Sequence, residues 1–433
     1  MAVLIPCVIG KDCSAAAVPE KIALGQSYVR LNGPWKFHLG DHPSWAASEL
    51  DDSKWESVDL TAPPGAHDSD VGLTGYVPGW GARGHAGYSG YAWYRLHIAV
   101  DAPVHFALSL AGPPAVDSSY QVFLNGALLG SAGSSFNGPI PTVVSIQPRI
   151  FAVPPDLLLT NRSGDDVIAF RVWMGPWDLA DPAAGGIHIA PALGQADAID
   201  MLYQMQWRQT IRGYIVEVVE AIVFALLALM ALRLSSFRHR DPYHWLVTAL
   251  VLTALYRVNQ AVFFWGQFET VHAFEWISIV FLYPLCLAAW TLAWSEWLNL
   301  DRMQWLARLV AGLTFAYMFA QVLSSSWFHG MTANWVAAAS DWGIVIIRLV
   351  FVCLTAAIAY QGVRQKGHEG WLVLPALLLV SVGQFAQELS QLGLPGIWFP
   401  FGTGVSRAQF AYAAFDVVLF FLLLRQMRSR GTD

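Results

Sequence analysis

The run Trp276-Ile-Ser-Ile-Val-Phe-Leu-Tyr-Pro-Leu-Cys-Leu-Ala-Ala-Trp-Thr-Leu-Ala-Trp-Ser295 contains no charged residue and lies between Glu275 and Glu296. A helix needs roughly 20 apolar residues to cross a bilayer, and this run is long enough. Six comparable runs lie elsewhere in the second half of the chain, so the sequence predicts seven spans and a lipid bilayer as a partner. They cover about Ile215–Leu232, Tyr243–Trp265, Trp276–Ser295, Leu309–Phe328, Trp342–Val363, Trp371–Leu392 and Ala408–Leu424.

The composition separates two halves of the chain. Of the 433 residues, 55% are hydrophobic and 13% are charged, whereas soluble domains carry roughly a quarter charged residues. Gly, Pro, Asp and Trp are frequent as far as about residue 200, and the chain is almost continuously apolar afterwards. The net charge of −6 gives no reason to expect a nucleic-acid partner. We predict an N-terminal segment 1–24 whose start is mis-set or trimmed, an exported β-sandwich domain 25–200, a link 201–213, a helical membrane domain 214–427 and a tail 428–433.

Basic residues occupy every second connector between the predicted spans. Connectors rich in Lys and Arg stay on the cytoplasmic side of a membrane. The N-terminal half is therefore predicted outside and the C-terminus inside. The basic connectors carry Arg233, Arg238 and Arg240, then Arg302 and Arg308, then Arg364 and Lys366, and finally Arg425, Arg428 and Arg430.

Short alternating runs in the first half are typical of β-strands. The pair Asn125-Gly126 lies between two apolar runs, which indicates a hairpin because both residue types accept positive φ. With Gly, Pro and Asp turns between at least five strands, the pattern favours an all-β sandwich over alternating strands and helices. The predicted strands are Trp93–Val100, Val104–Leu110, Tyr120–Leu129, Val144–Val153 and Val167–Met174.

A set of motifs in this half occurs in a familiar order. They are Gly33-Pro-Trp-Lys-Phe37, Gly40-Asp41, Asp51-Asp-Ser-Lys-Trp55, Gly90-Tyr-Ala-Trp-Tyr-Arg95 and Val122-Phe-Leu-Asn-Gly126. Together they resemble, over about residues 31–172, the jelly-roll (galactose-binding-like) domain at the front of family 2 glycoside hydrolases. The segment between Leu60 and Tyr88 departs from that family because it is longer and rich in glycine.

A jelly roll followed by seven helices resembles the bacterial seven-transmembrane receptors with diverse intracellular signalling modules. The resemblance implies a protein of the bacterial inner membrane whose N-terminal domain is periplasmic or extracellular. It also implies a cytoplasmic kinase, phosphatase or cyclase output domain, which would lie outside this chain because the chain stops at Asp433, just past the last span.

Aromatic and polar side chains in or beside the glycine-rich loops are candidate ligands for a carbohydrate. Aromatic faces suit the apolar faces of sugar rings, and charged side chains supply hydrogen bonds. The alternative is that these aromatics close the edges of a sandwich that is only a scaffold; Trp35, Trp55 and Trp93 are expected in its core. His67, Asp68 and Asp70 have metal-binding side chains, but no further ligand has diagnostic spacing, so no metal is predicted. The candidates are Tyr76, Trp80, Arg83, His85, Tyr88, Tyr91 and Trp177.

Polar residues inside the predicted spans form a second candidate site. In the predicted topology most of them lie in the outer half of the bilayer, where a charge must pair or face water. Two interpretations stay open: a small-molecule site beneath the β-domain, or an interhelical packing network without a ligand. This predicted polar layer comprises Glu217, Glu220, Arg257, Asn259, Gln260, Asp341, Arg348, Gln384, Gln387, Glu388, Arg407 and Asp416.

Catalysis has little support in the sequence. The spans contain no nucleophile elbow, zinc motif or nucleotide loop, and glycoside hydrolysis needs a carboxylate pair in a catalytic domain. We therefore expect no catalytic residue and no cofactor. The predicted function is a receptor that relays an extracytoplasmic signal, from a carbohydrate or another small molecule, through the helices. The alternatives are a membrane-anchored carbohydrate-binding protein and a transporter, for which internal repeats would be expected.

Overall fold

In the computed structural model, the described residues divide into two compact units. The first lies within Met1–Pro64, Val77–Ser134 and Pro148–Tyr203, and the second lies within Gly65–Tyr76, Ser135–Gln147 and Gln204–Asp433. The predicted block 25–200 is therefore interrupted twice, because segments 65–76 and 135–147 belong to the second, helical unit. The described residues are 20–23, 27–69, 71–101, 107–137, 141–143, 147–158, 165–176, 178, 181–235, 243–266, 269–300, 305–325, 328, 334–394, 396–398 and 404–430.

The first unit contains two β-sheets. Its strands are β1 Glu20–Ala23, β2 Tyr28–Arg30, β3 Trp35–Leu39, β4 Glu56–Val58, β5 Gly90–Asp101, β6 Leu108–Ala111, β7 Ser119–Leu124, β8 Ala127–Ala132, β9 Ile150–Val153, β10 Asp166–Met174 and β11 Ala192–Gln195. The larger sheet has the order β4-β3-β5-β10-β7-β8, with β1 beside β5, and the smaller has the order β2-β11-β6-β9. Trp35, Trp93 and Phe170 are fully buried. The prediction of a β-sandwich-like N-terminal region is confirmed, although Trp55, expected in the core, is only half-buried.

The predicted hairpin is confirmed, and two predicted strands begin later than expected. Asn125 and Gly126 adopt positive φ of 50° and 84° in the turn between β7 and β8, as a tight hairpin requires. The strand predicted over Val104–Leu110 begins at Leu108, and the one predicted over Val144–Val153 begins at Ile150. Residues 102–106 and 144–146 lie outside the described part of the chain.

The helical unit contains most of the helical residues. The helices are α1 Ala196–Leu234, α2 Tyr243–Trp265, α3 Val271–Trp297, α4 Leu306–Ser324, α5 Asn334–Lys366, α6 His368–Gln384, α7 Ala386–Gln391 and α8 Arg407–Arg430. Among the described residues, six helices are long and apolar enough to cross a membrane, namely all except α6 and α7. This indicates a membrane protein. The predicted link 201–213 is helical and lies within α1.

The sixth predicted span, Trp371–Leu392, is divided between two helices. Phe385 has φ −105° and ψ 30°, outside the α-helical range, so α6 ends before it and α7 begins after it. The Arg407 guanidinium donates to the carbonyl oxygen of Ala386 at 2.7 Å and satisfies a backbone acceptor at the break. Neither piece alone reaches the roughly 20 residues that a crossing helix ordinarily needs.

Helix α3, the most buried of the six long apolar helices, is π-helical over Glu275–Leu282. The backbone N–H of Tyr283 donates to the carbonyl of Ser278, five residues back. Pro284 follows, and a proline has no N–H and clashes with the carbonyl four residues before it. A wide turn relieves this clash. Strands β12 Ile397–Trp398 and β13 Val405–Ser406 pair between α7 and α8.

Candidate functional site: a polar cavity in the helical unit

A cavity of about 410 Å³ lies among the helices of the second unit. Its wall combines aromatic rings with charged and amide side chains, as small-molecule sites do. The side chains that the following argument uses come from α1 (Tyr214, Glu217), α2 (Tyr256, Arg257, Gln260), α3 (Tyr283, Cys286), α5 (Arg348), α6 and α7 (Gln384, Gln387) and α8 (Gln409, Tyr412).

Arg348 is buried, and each of the three nitrogen atoms of its guanidinium group donates at least one hydrogen bond. Nη1 donates to the Tyr283 hydroxyl at 2.7 Å and to the Tyr317 hydroxyl at 3.2 Å. Nε and Nη2 donate to the two carboxylate oxygens of Glu388, the latter at 2.6 Å. A bidentate pair of this kind fixes both orientation and position. Arg348 is therefore buried and paired within the helical unit.

Arg257 is held by a second set of partners. Its Nε lies 2.9 Å from Oε2 of Glu220, a contact of opposite charges without a directed hydrogen bond. Nη1 donates to Oε1 of Gln260 at 2.9 Å, and the guanidinium lies 4.7 Å from the centre of the Tyr412 ring. This side chain is also buried and paired within the helical unit.

Besides Nε of Arg257, two polar atoms of the cavity wall have no hydrogen-bond partner among the described residues. Oε1 of Glu217 accepts from Nε2 of Gln409 at 2.5 Å, but Oε2 is buried and unsatisfied. Nε2 of Gln384 is likewise buried and unsatisfied. A buried polar atom without a partner costs about 1–3 kcal/mol. The cavity therefore offers an acceptor at Glu217 and a donor at Gln384 to a bound molecule.

The structure brings part of the predicted polar layer together and separates the rest. Glu388 and Arg407 do not line the cavity. Glu388 positions Arg348, and Arg407 donates to the backbone at the break between α6 and α7. Asn259 donates to Ser278 at 2.9 Å, and Asp341 is exposed and accepts from Ser324. Asp416 is buried, but with Glu220 it lines an apolar groove instead of the cavity. The predicted residues that line the cavity are Glu217, Arg257, Gln260, Arg348, Gln384 and Gln387.

Several cavity residues were missed. Tyr256, Tyr283 and Tyr412 are counted as apolar in a search for spans, and their hydroxyl groups are informative only once neighbours are known. Gln409 could have been identified from the sequence, because a polar residue inside a predicted span is itself a candidate for function. Cys286 also lines the cavity and is buried.

The glycine-rich loop around Trp80, which was predicted to bind a carbohydrate, does not expose this side chain. Trp80 is only 1% exposed and donates to the carbonyl of Tyr88 at 3.3 Å, so the expectation of an exposed aromatic platform is wrong for this residue. The loop folds inward because Trp80 N–H donates to the carbonyl of Gly185 at 2.9 Å and Gly79 N–H to that of Ala183 at 2.7 Å.

The other loop candidates are half-buried and engaged locally. Arg83 donates to the carbonyls of Pro78 and Asp59 at 3.1 and 3.0 Å, and His85 lies 2.9 Å from Glu56. The Tyr88 hydroxyl donates to the Tyr91 carbonyl at 2.6 Å, and Arg171 covers the Tyr91 ring at 4.1 Å. Tyr76 belongs to the helical unit, and Trp177 lies outside the described residues. Carbohydrate binding by this loop stays a prediction.

The segment around His67 and Asp68 is organised as a turn. The Asp68 carboxylate accepts from the backbone N–H groups of Val71 at 2.8 Å, Gly72 at 3.3 Å and Leu73. Within the part of the chain that the structure describes, no three His, Cys, Asp or Glu side chains are grouped to hold a metal ion. Asp70 lies outside the described residues.

Comparisons with known proteins give similarity to the N-terminal region alone. No family model matches the chain, and no curated protein matches it. A β-glucuronidase of Bacteroides uniformis is similar with 23% identity and a TM-score of 0.27, over 39% of this chain and 17% of that one. A β-glycosidase of Bacteroides vulgatus is similar with 20% identity and a TM-score of 0.24, over 39% and 20%. A β-glucuronidase of Parabacteroides merdae is similar with 18% identity and a TM-score of 0.26, over 40% and 22%. The chain thus spans less than a quarter of the length of these glycosidases.

Proposed function

We propose that the chain is a transmembrane receptor of the bacterial inner membrane that binds a small polar solute in the cavity of its helical unit. It relays this extracytoplasmic signal to a cytoplasmic output module. The observation that carries the proposal is the pair of buried, unsatisfied groups, Glu217 and Gln384, in a wall held by two paired arginines. Their opposite hydrogen-bonding needs favour a solute with hydroxyl or amine donors and at least one acceptor, such as a polyol, sugar or nucleoside.

The network around the cavity supports a signalling role over simple anchoring. The Arg348 guanidinium connects α5 with Tyr283 of α3, Tyr317 of α4 and Glu388 of α7. A solute that binds better to one arrangement of these bonds shifts the equilibrium of four helices together. An anchor would need no such link.

The distribution of basic residues supports the orientation. Arg233 and Lys366 lie at the ends of α1 and α5, Arg308 lies at the start of α4, and Arg425 and Arg428 lie near the end of α8. With α6 and α7 acting together as one broken crossing, these residues lie on one side of seven spans. By the positive-inside rule that side is cytoplasmic, and the β-sandwich is periplasmic.

The first test measures binding by the full chain in detergent. A panel of sugars, polyols, nucleosides and amino acids is screened for solutes that raise the midpoint of thermal unfolding. At 100 times its Kd, a ligand stabilises the native state by about 2.7 kcal/mol. Gln384→Leu should abolish the shift because it removes the cavity donor. Gln361→Leu, the same change on α5 away from the cavity, should keep it. If no solute shifts the wild type, or if Gln384→Leu still responds, the cavity is not the receptor site.

The second test separates the receptor from a transporter. Spin labels at positions 366 and 429 report the distance between the inner ends of α5 and α8. A receptor changes this distance when solute is added and does not accumulate the solute in proteoliposomes. Accumulation would show transport, and binding without a distance change would show a membrane-anchored binding protein.

A further inference from the structure

A second site lies in the helical unit, away from the polar cavity. A groove of about 930 Å³ runs between α1 and α8 and is walled almost entirely by apolar side chains. Val219 and Leu226 of α1 are 54% and 56% exposed, and Phe421 of α8 is 63% exposed. Such side chains on a membrane protein face lipid. The groove is therefore open to the bilayer and not to water.

Two carboxylates nevertheless line this groove. Glu220 is 3% exposed and Asp416 is 7% exposed. Neither Oδ1 of Asp416 nor the two oxygens of Glu220 accept a hydrogen bond from a described residue. Buried polar groups ordinarily have a partner, and an ionisable group inside a membrane marks a functional site by default. The pattern is unlike that of ordinary helix packing.

The charges around these carboxylates do not balance. Glu220 contacts Arg257 at 2.9 Å, and Glu217 lies 3.9 Å from the same guanidinium. With Asp416 in the same groove, this group has three carboxylates and one arginine, so in its ionised state it carries two more negative charges than positive ones. The ligand that would suit this groove is therefore a cation that carries hydrogen-bond donors on an apolar body.

We infer that the groove between α1 and α8 binds a single-chain amphiphile with a protonated amine head. The ammonium group has three donors and no acceptor, and it lies at Asp416 and Glu220. The alkyl chain extends along Leu226 and Phe420 in the apolar part of the groove. A fatty acid does not fit, since its carboxylate would meet two like charges. Arg233, at the inner end of the groove, repels the amine there and so sets the direction of the chain.

The inference does not rest on the proposed solute receptor, although Glu220 of the groove contacts Arg257 of the cavity wall. Glu220 and Asp416 line the groove and not the cavity. The groove could bind an amphiphile whether the protein is a receptor, a transporter or an anchor.

The test uses the full chain in phosphatidylcholine nanodiscs and radiolabelled dodecylamine, dodecanol and dodecanoate. Dodecylamine should bind at least about tenfold more tightly than the alcohol or the carboxylate, because only the amine can pair with a partly desolvated carboxylate. Asp416→Asn should remove this preference. Asp341→Asn, the same change at an exposed acid of α5, should keep it.

A steric pair of variants tests the groove without changing its charges. Ala413 lines the groove and Ala414 does not, although both are exposed on α8. Ala413→Phe should weaken amine binding by about tenfold, and Ala414→Phe should leave it unchanged. This pair decides the outcome if Asp416→Asn does not fold.

Three results would overturn the inference. The first is equal binding of dodecylamine and dodecanol. The second is wild-type preference in Asp416→Asn, or equal effects of the two phenylalanine variants. The third is a change from dimer to monomer in Ala413→Phe with unaltered amine binding, which would show that the groove is covered by a second copy of the chain.

Discussion

At the scale of single residues, three titratable side chains of the β-sandwich unit connect its stability to pH. Burial raises the pKa of Asp178 to about 6, although the Ser118 hydroxyl donates to it at 2.6 Å. Burial also disfavours the charged form of Asp117. The hydrogen bond to His188 at 2.9 Å outweighs this effect, so the pKa of Asp117 is lowered. The same pair raises the pKa of His188.

The sign of the pH dependence follows from these shifts. An acid whose folded pKa lies above its unfolded value loses folding stability as the pH rises towards that folded value. A histidine with a raised pKa contributes stability at low pH and loses it as the pH rises through its folded pKa. The sandwich should therefore unfold at a lower temperature at about pH 8 than at about pH 5.

Asp178→Asn isolates the contribution of the raised acid. In thermal unfolding of the full chain between about pH 4 and pH 7, this variant should show a flatter dependence of the midpoint than the wild type. Asp156→Asn, at an exposed acid, should retain the wild-type slope. Identical slopes for all three proteins would mean that Asp178 does not titrate in this range.

Some residue environments were predictable from the sequence. An arginine in an apolar span must find a counter-charge. It was therefore predictable that Arg257 and Arg348 would each have an acidic partner. The partner of each arginine could not be predicted from the sequence. Glu388, for example, lies 40 residues from Arg348 along the chain. The burial of Trp80 was also unpredictable, because it depends on backbone bonds to residues about 100 positions away.

At the scale of elements, the packing of segment 65–76 against α1 depends on a glycine. A Cβ atom at Gly213 would lie 2.3 Å from Cγ1 of Val71, and nearby Gln209 donates to the Val71 carbonyl at 2.6 Å. Gly213→Ala should therefore displace the segment and speed amide exchange in residues 66–75, as measured by mass spectrometry. Gly312→Ala on α4 meets nothing within 4 Å and should leave exchange there unchanged, while stabilising α4 by up to about 1 kcal/mol. Equal exchange in both variants would contradict this packing role.

The spans were predictable as elements, but their interruptions were not. Apolar length alone identified seven runs. Pro375 lies inside α6 without ending it, and the chain instead leaves the helix at Phe385, where Arg407 offers a hydrogen bond to the backbone. A break that depends on a side chain from another helix leaves no local signal.

At the scale of the whole molecule, the orientation in the membrane can be tested by labelling. In a background without native cysteines, Ser134→Cys should react with an impermeant thiol reagent in intact spheroplasts, because the sandwich is proposed outside. Ser429→Cys should react only after lysis. Both positions are exposed. The reverse pattern would invert the topology, and equal labelling of intact spheroplasts would refute a fixed orientation.

The division into two units was only partly readable from composition. The change from mixed to apolar sequence placed the boundary within the first half of α1. The two short segments of the helical unit inside the β-rich half were missed, since long-range bonds define them. Examples are the bonds from Gln147 to the Phe264 carbonyl at 2.8 Å and from Val271 N–H to the Val143 carbonyl at 3.1 Å.

The π-helical stretch at Glu275–Leu282 gives the middle of α3 a winding wider than that of an ordinary α-helix. If its five-residue spacing of hydrogen bonds returned to the ordinary four, the rest of the helix would turn by one residue's share of the spiral, about 100°. Tyr283 would then leave the Arg348 guanidinium and another side chain would take its place. Because lipid supplies no water to solvate half-formed backbone bonds, intermediate angles are unfavourable. A molecule that binds Tyr283 would therefore favour one rotation of α3 as a whole.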